Sequence, residues 1–321
     1  MAIEAQGGPA AVGTNESAAP EVVKGPTRGG PRVTAAWVLA LVALVAAVAG
    51  AVGGTGPVGD AALGLLTGVA LLFSIVHGSL SVGWRGIGTF FVISYAVGFV
   101  LEATSVAYGF PFGFYVHNTG GPRLLDIPLV VPSAYFGYGW IAWVLACVIG
   151  RGTPARSVGF ERFTTPLVAT LILTGWDFAF DAVFATVDSR YRYTHPGGYF
   201  GVPVSNFLGW LLTGWIITQV FALVEQKAAT RTPPAARAHW ALPSVVWAAP
   251  ILPLLGCFLS PPAGKVTVGG RTFVSADIYG SAFVVSLLTL GLVAALALIR
   301  ALAPTGTAPD ATRDAQLRAL P

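Results

Sequence analysis

An all-α, polytopic membrane bundle of about eight transmembrane helices is the fold class this sequence predicts. Of its 321 residues, 55% are hydrophobic and only 10% charged, with a mean hydropathy of +0.72. That balance excludes an ordinary soluble domain. Eight apolar segments each approach the ~20 residues that a helix needs to cross ~30 Å of hydrocarbon. The Lys and Arg residues, finally, divide unevenly between the two sides those segments define.

The segments run over approximately 33–54, 59–82, 86–105, 128–150, 163–188, 205–226, 242–260 and 278–302. The seventh holds Pro243, Pro250 and Pro253 and carries the weakest signal, so seven spans is the alternative. With the N-terminus inside, most of the 18 basic residues, among them Lys24, Arg28, Arg85, Arg151 and Lys227, fall on the cytoplasmic side. Arg123, Arg190, Arg192, Lys265 and Arg271 fall on the other. The expectation is a multi-pass protein of the cell membrane with both termini cytoplasmic. The net charge of +4 follows from that topology, and no basic groove with interleaved aromatics suggests nucleic acid.

Residues 1–32 and 303–321 are rich in Gly, Pro, Ala and Thr and are expected to be disordered cytoplasmic tails around one transmembrane domain, 33–302. A leading polar stretch of about 30 residues is too long for a signal peptide, so the first span is expected to be permanent. Cys147 and Cys257 each lie in an apolar segment without a CxxC spacing, which predicts small core residues and neither a zinc site nor a disulfide framework.

Three carboxylates, Glu102, Asp177 and Asp181, interrupt segments that otherwise read as membrane helix, in a chain with only 14 acidic residues. A charged group there costs about 2.5–3.5 kcal/mol on the lenient insertion scales, so a working site is the default reading. Thr170, Thr174, Asp177, Asp181 and Asp188 step by three, four and seven along one helical face. Tyr95, Gly98, Glu102 and Ser105 do the same in the third segment, and Asn206, Trp210 and Thr213 in the sixth. Because the third and fifth segments run outward and the sixth inward, Glu102, Asp177, Asp181 and Asn206 all fall in the outer half of the membrane. A metal site is the other sharp reading of Asp177-x-x-x-Asp181. The chain has no second Asp-rich motif, and the expectation is no metal. His77, His117 and His195 are further ionisable groups, His77 placed toward the cytoplasmic side for packing and the other two in outer loops where they could shuttle protons.

The outer connections, 106–127 and 189–204, are dense in Gly, Pro and aromatic residues. Such loops can re-enter a bundle and line a cavity with rings suited to a polyene or a carbocation. The alternative is an interfacial aromatic belt.

The block from Glu102 to His117 followed by GPRLLDIPLVVP, and the later DFAFDA at Asp177 followed by GGYFGVPVSNFLGW from Gly197 to Trp210, resemble the CruF-type carotenoid 1,2-hydratase family. That family includes the bisanhydrobacterioruberin and gamma-carotene hydratases. The likeness extends over roughly residues 60–300. Members more often have Asp-Pro where this chain has Asp181-Ala182, and Trp-x-Trp where it has Tyr191-Arg192-Tyr193. The resemblance implies a carotenoid biosynthesis enzyme in the membrane that adds water to the terminal 1,2 double bond of an acyclic or monocyclic carotenoid. No cofactor is required: an acid protonates the alkene and water captures the tertiary cation. A carboxyl serves as that acid where low dielectric and a close second carboxylate disfavour ionisation. In this reading Asp181 or Asp177 gives the proton and Glu102 positions or deprotonates the water. Asn206 orients water or a carboxyl, Tyr115, Tyr199, Phe200 and Trp210 hold the polyene and its cation, and His117 lines the same side. The expected partners are the carotenoid, water, membrane lipid and other carotenoid biosynthesis enzymes. A membrane terpene cyclase begins with the same protonation, and a proton-coupled transporter also places acids on facing helices. The chain has no inverted repeat of the kind transporters carry.

Overall fold

The computed structural model describes residues 30–151, 159–228 and 234–303, so the expected tails fall almost wholly outside it. Among the described residues eight helical spans are long and apolar enough to cross a bilayer. The chain is an integral, multi-pass membrane protein. The first three spans are α1 (Pro31–Gly53), α2 (Pro57–Ser81) and α3 (Gly83–Tyr108). Two pairs of short strands follow or flank the next helices: β1 (Tyr115–His117), β2 (Arg123–Leu124) and β3 (Ile127–Pro128) before α4 (Val130–Arg151), then α5 (Glu161–Ala182) and β4 (Tyr191–Tyr193). After α6 (Val204–Ala228) the seventh span is built from α7 (Arg237–Ala248) and α8 (Ile251–Leu259). A hairpin, β5 (Lys265–Val268) and β6 (Arg271–Val274), precedes the last span, α9 (Ser275–Ser286) and α10 (Leu292–Leu302). One π-helical turn, Val183–Val187, extends α5, and another, Leu287–Gly291, joins α9 to α10.

Local chemistry explains the boundaries. Pro57 occupies the first turn of α2, where its missing N–H costs nothing. Gly109 closes α3 in the left-handed conformation at φ 78°, its N–H bonded to the Ser105 carbonyl. On α1 the buried residues Ala36, Ala40, Ala43, Ala47 and Gly50 step by four and three, leaving a flat face for close packing. A Cβ on Gly256 of α8 would come within 2.2 Å of the Ala51 carbonyl oxygen, so this crossing requires glycine. Helix α4 is the centre of the bundle: Tyr135, Phe136, Trp140, Ile141, Ala142 and Leu145 are all essentially inaccessible. Leu41 and Val45 on α1, Leu167 and Leu171 on α5, and Leu288 and Ile299 in the last span are exposed, as a lipid-facing surface requires.

The two internal prolines show how side chains replace lost backbone bonds at membrane depth. Pro166 in α5 cannot bond the Arg162 carbonyl, and Gln219 Nε2 from α6 donates to it instead at 3.0 Å. Pro243 in α7 likewise frees the His239 carbonyl, which lies 3.2 Å from His77 Nε2 on α2. A proton on Nε2 leaves Nδ1 to accept from the Trp140 indole at 3.3 Å. The His77 and His239 rings stack at 4.1 Å. His77→Leu is therefore expected to destabilise the protein by about 1–2 kcal/mol. In a Pro243→Ala background, where the backbone N–H returns, the same change should cost less than half as much. Equal losses in the two backgrounds, read from denaturant titrations in detergent, would assign His77 another role.

The loops depart from a wholly helical expectation. β1 pairs antiparallel with β4, with Tyr115 opposite Tyr193, Val116 opposite Arg192 and His117 opposite Tyr191. Two further small ribbons, β2–β3 and β5–β6, lie in loops at the same end of the bundle. Strands of two to four residues are too short to display a period of two against an aromatic background.

Candidate active site

The three acids and Asn206 reach one cavity of about 350 Å³, lined by the site ends of α2 to α6 and by the β1–β4 ribbon. Glu102, Asp177, Asp181 and Asn206 are each only 2–4% exposed. Among the described residues none of the three carboxyls has a Lys or Arg partner; Arg190 pairs with Asp188 at 3.1 Å instead.

One half of the site is built by α5 and α6. Asp177 and Asp181, one turn apart, both aim Oδ2 at the Asn206 amide nitrogen, at 2.9 and 2.7 Å. The two N–H bonds of a single amide thus hold two carboxyl groups side by side. The Tyr193 hydroxyl stands 3.5 Å from the same Asp181 oxygen. Immediately beyond, the widened turn Val183–Val187, closed by Asp188 N–H to the Val183 carbonyl at 2.9 Å, rotates the rest of the chain. Asp188 consequently leaves the stripe on which its spacing had put it, and faces Arg190 rather than the cavity.

The other half belongs to α3, α4 and β1. Glu102 accepts from the Tyr135 hydroxyl at Oε1, 3.0 Å away, and from the Tyr115 hydroxyl at Oε2. His117 Nε2 lies 3.3 Å from Oε2 as an ion-pair contact, while Nδ1 is buried without a hydrogen-bond partner. Tyr135 reaches Glu102 because Gly98, one turn earlier on α3, has no side chain: a Cβ there would come within 2.8 Å of the Tyr135 ring. Burial, then the facing Glu102 carboxylate, holds the Tyr115 phenol well above the ordinary range, so it stays a proton-bearing donor. Burial, then Asp181, does the same for Tyr193.

Rings complete the walls. Tyr115, His117, Tyr191 and Tyr193 alternate onto one face of the ribbon, with Tyr115 5.0 Å from His117 and 5.6 Å from Tyr193 between centroids. Across the cavity Trp210 packs on Tyr135 at 4.5 Å, and Trp176 stacks on Tyr138 at 4.2 Å. The buried Trp176 indole N–H has no partner. The structure thus brings together Asp181, Asp177, Glu102, Asn206, Tyr115, Trp210 and His117. Two residues expected at the polyene site lie elsewhere. Tyr199 stacks on Phe178 at 4.7 Å, its hydroxyl 3.3 Å from that residue's carbonyl, and Phe200 packs on Phe273 at 5.7 Å. Phe200 sits in a tight turn at φ 48°, which points its ring toward the β5–β6 hairpin. Trp176, Tyr191 and Tyr193 take lining positions instead, and none of them falls on a polar stripe.

The family described as carotenoid biosynthesis protein matches residues 59–260, a range that contains every lining residue of the cavity. The chain belongs to that family. Over 133 residues this carotenoid biosynthesis protein is 29% identical to the bisanhydrobacterioruberin hydratase of Haloarcula japonica. The alignment covers 41% of this chain and 43% of that one, so the chain matches less than half the length of the curated relative. No solved structure matches the carotenoid biosynthesis protein.

Proposed function

We propose that the protein is a carotenoid 1,2-hydratase that adds water to the terminal double bond of an acyclic or monocyclic carotenoid by acid catalysis, without a cofactor. The observation that carries this reading is the aromatic-walled cavity in which Asn206 bridges two carboxyls while a third is held apart by two tyrosines. The family membership and the named hydratase relative support it.

In this reading the Asp177–Asp181 pair gives a proton to the less substituted carbon of the end group. The alkene's π electrons form the new C–H bond and leave a tertiary cation on the neighbouring carbon. The faces of Trp210 and Trp176 stabilise that charge through their ring quadrupoles. Water then attacks the cation, Glu102 takes the proton that the water loses, and return of this proton to the Asp pair restores the site. His117, whose Nε2 lies 3.3 Å from Glu102 Oε2, is suited to that return.

Expression in a lycopene-producing host, followed by mass analysis of the pigments, tests the proposal. The expected result is the gain of one water per reacted end. Pigments of altered chromatographic behaviour but unchanged mass would instead identify a cyclase, and an unaltered pigment profile with well-expressed protein would overturn the carotenoid reading.

A further inference from the structure

A cavity of about 350 Å³ holds the end group of a carotenoid and not its whole length, so the remaining polyene must pass out through a wall. On α2 that wall consists of Gly64, Thr67, Gly68 and Leu71. Gly64 is exposed, and a Cβ built on Gly64 or Gly68 would meet no atom within 4 Å. At 100° per residue the two glycines fall between the exposed Leu65 and Leu72, which face lipid, and the cavity-lining Thr67 and Leu71. They lie ~10 and ~16 Å along the helix from its start at Pro57, at the depth of the acyl chains. Deeper in the bundle α2 and α4 close on each other, with Ser74 Oγ donating to the Gly137 carbonyl at 2.7 Å. Two buried atoms on the cavity wall, the Trp176 indole nitrogen and His117 Nδ1, lack hydrogen-bond partners and mark an interior arranged for an occupant.

We propose that the cavity opens sideways into the bilayer at Gly64 and Gly68, and that a polyene enters there end first, its end group reaching the acids while the rest of the chain stays in lipid. The inference rests on the carotenoid reading for the identity of the ligand. Bulk at the opening should obstruct entry without disturbing the core, because the added atoms meet open space.

The test uses the full chain in lipid nanodiscs with lycopene, measuring binding by quenching of tryptophan fluorescence and turnover by product mass. Gly64→Phe and Gly68→Phe are expected to reduce both at least tenfold, with the thermal transition unchanged, and Gly88→Phe, at an equally open position on α3 away from the cavity, to leave both near wild type. Should a phenylalanine variant misfold, Gly68→Cys can be folded first and then alkylated with a bulky maleimide, since Cys147 and Cys257 are buried. Alkylation should abolish quenching and turnover. Undiminished turnover in folded, blocked protein overturns the lateral opening and leaves the hydratase reading standing. If wild type shows quenching that Gly68→Phe abolishes, yet forms no hydrated product, the opening is supported and the hydratase reading is removed. Neither binding nor turnover of lycopene by wild type overturns both.

Discussion

Asp181→Asn is expected to lower hydration by about 10²–10⁴-fold, the range that removal of a general acid produces, and Asp177→Asn to do the same. Both substitutions keep the shape of the side chain and one oxygen that can accept from Asn206, whose amide nitrogen stands 2.7 and 2.9 Å from the two carboxyls. Folding should therefore survive, and the change falls on acidity alone. The two losses should also be far from additive, because one amide holds the pair as a unit and removal of either carboxyl already leaves it without its neighbour. Turnover of extracted pigment by purified protein provides the measurement. A variant that keeps more than a tenth of wild-type activity would take its carboxyl out of the proton transfer. Asn206→Leu gives an independent comparison: it keeps both acids but leaves them without their shared donor, so it should reduce activity while also lowering stability, which the two Asn variants should not.

The parts of this architecture that depend on composition could be read from the sequence, and the parts that depend on lateral packing could not. Spans follow from hydropathy over some 20 residues, and the direction of each follows from the one before it. That alone carries Glu102, Asp177, Asp181 and Asn206 to a common end of the bundle. Their division into two groups was not legible, because it depends on Tyr135, which sits on a helix whose aromatic face has no polar stripe. Gly98 was visible as a member of the Glu102 stripe, yet its function of admitting a ring from α4 requires the neighbour to be known. The loops misled in a specific way. The glycine-rich run from Gly197 drew attention to Tyr199 and Phe200, whereas the residues that face the cavity are Tyr191 and Tyr193. Their signal was the alternation Tyr191-x-Tyr193 matched by Tyr115-x-His117, two segments far apart in chain order that only pairing brings into register. The π turn after Ala182 had no sequence mark either, and it is what removes Asp188 from the site.

Glu102→Gln is expected to reduce hydration by about 10²–10³-fold while leaving the protonation step intact. The two steps are separable because the halves of the site share no direct hydrogen bond among those the three carboxyls make: Glu102 is bonded to Tyr115 and Tyr135, the aspartates to Asn206 and Tyr193. A cation formed in the variant has no base with which to activate water, and it returns to alkene by losing a proton. In deuterated buffer the recovered carotenoid should then carry deuterium at its end group without having gained water, an outcome readable by mass spectrometry. Asp181→Asn should give neither deuterium nor water. Tyr135→Phe provides the finer test, since it removes one donor to Oε1 and leaves the carboxylate in place. It should retain more hydration than Glu102→Gln, with the same bias toward exchange over water capture. If Glu102→Gln loses deuterium uptake along with hydration, then Glu102 belongs to the proton-delivering group, and the tyrosines that surround it serve to hold an acid rather than a base.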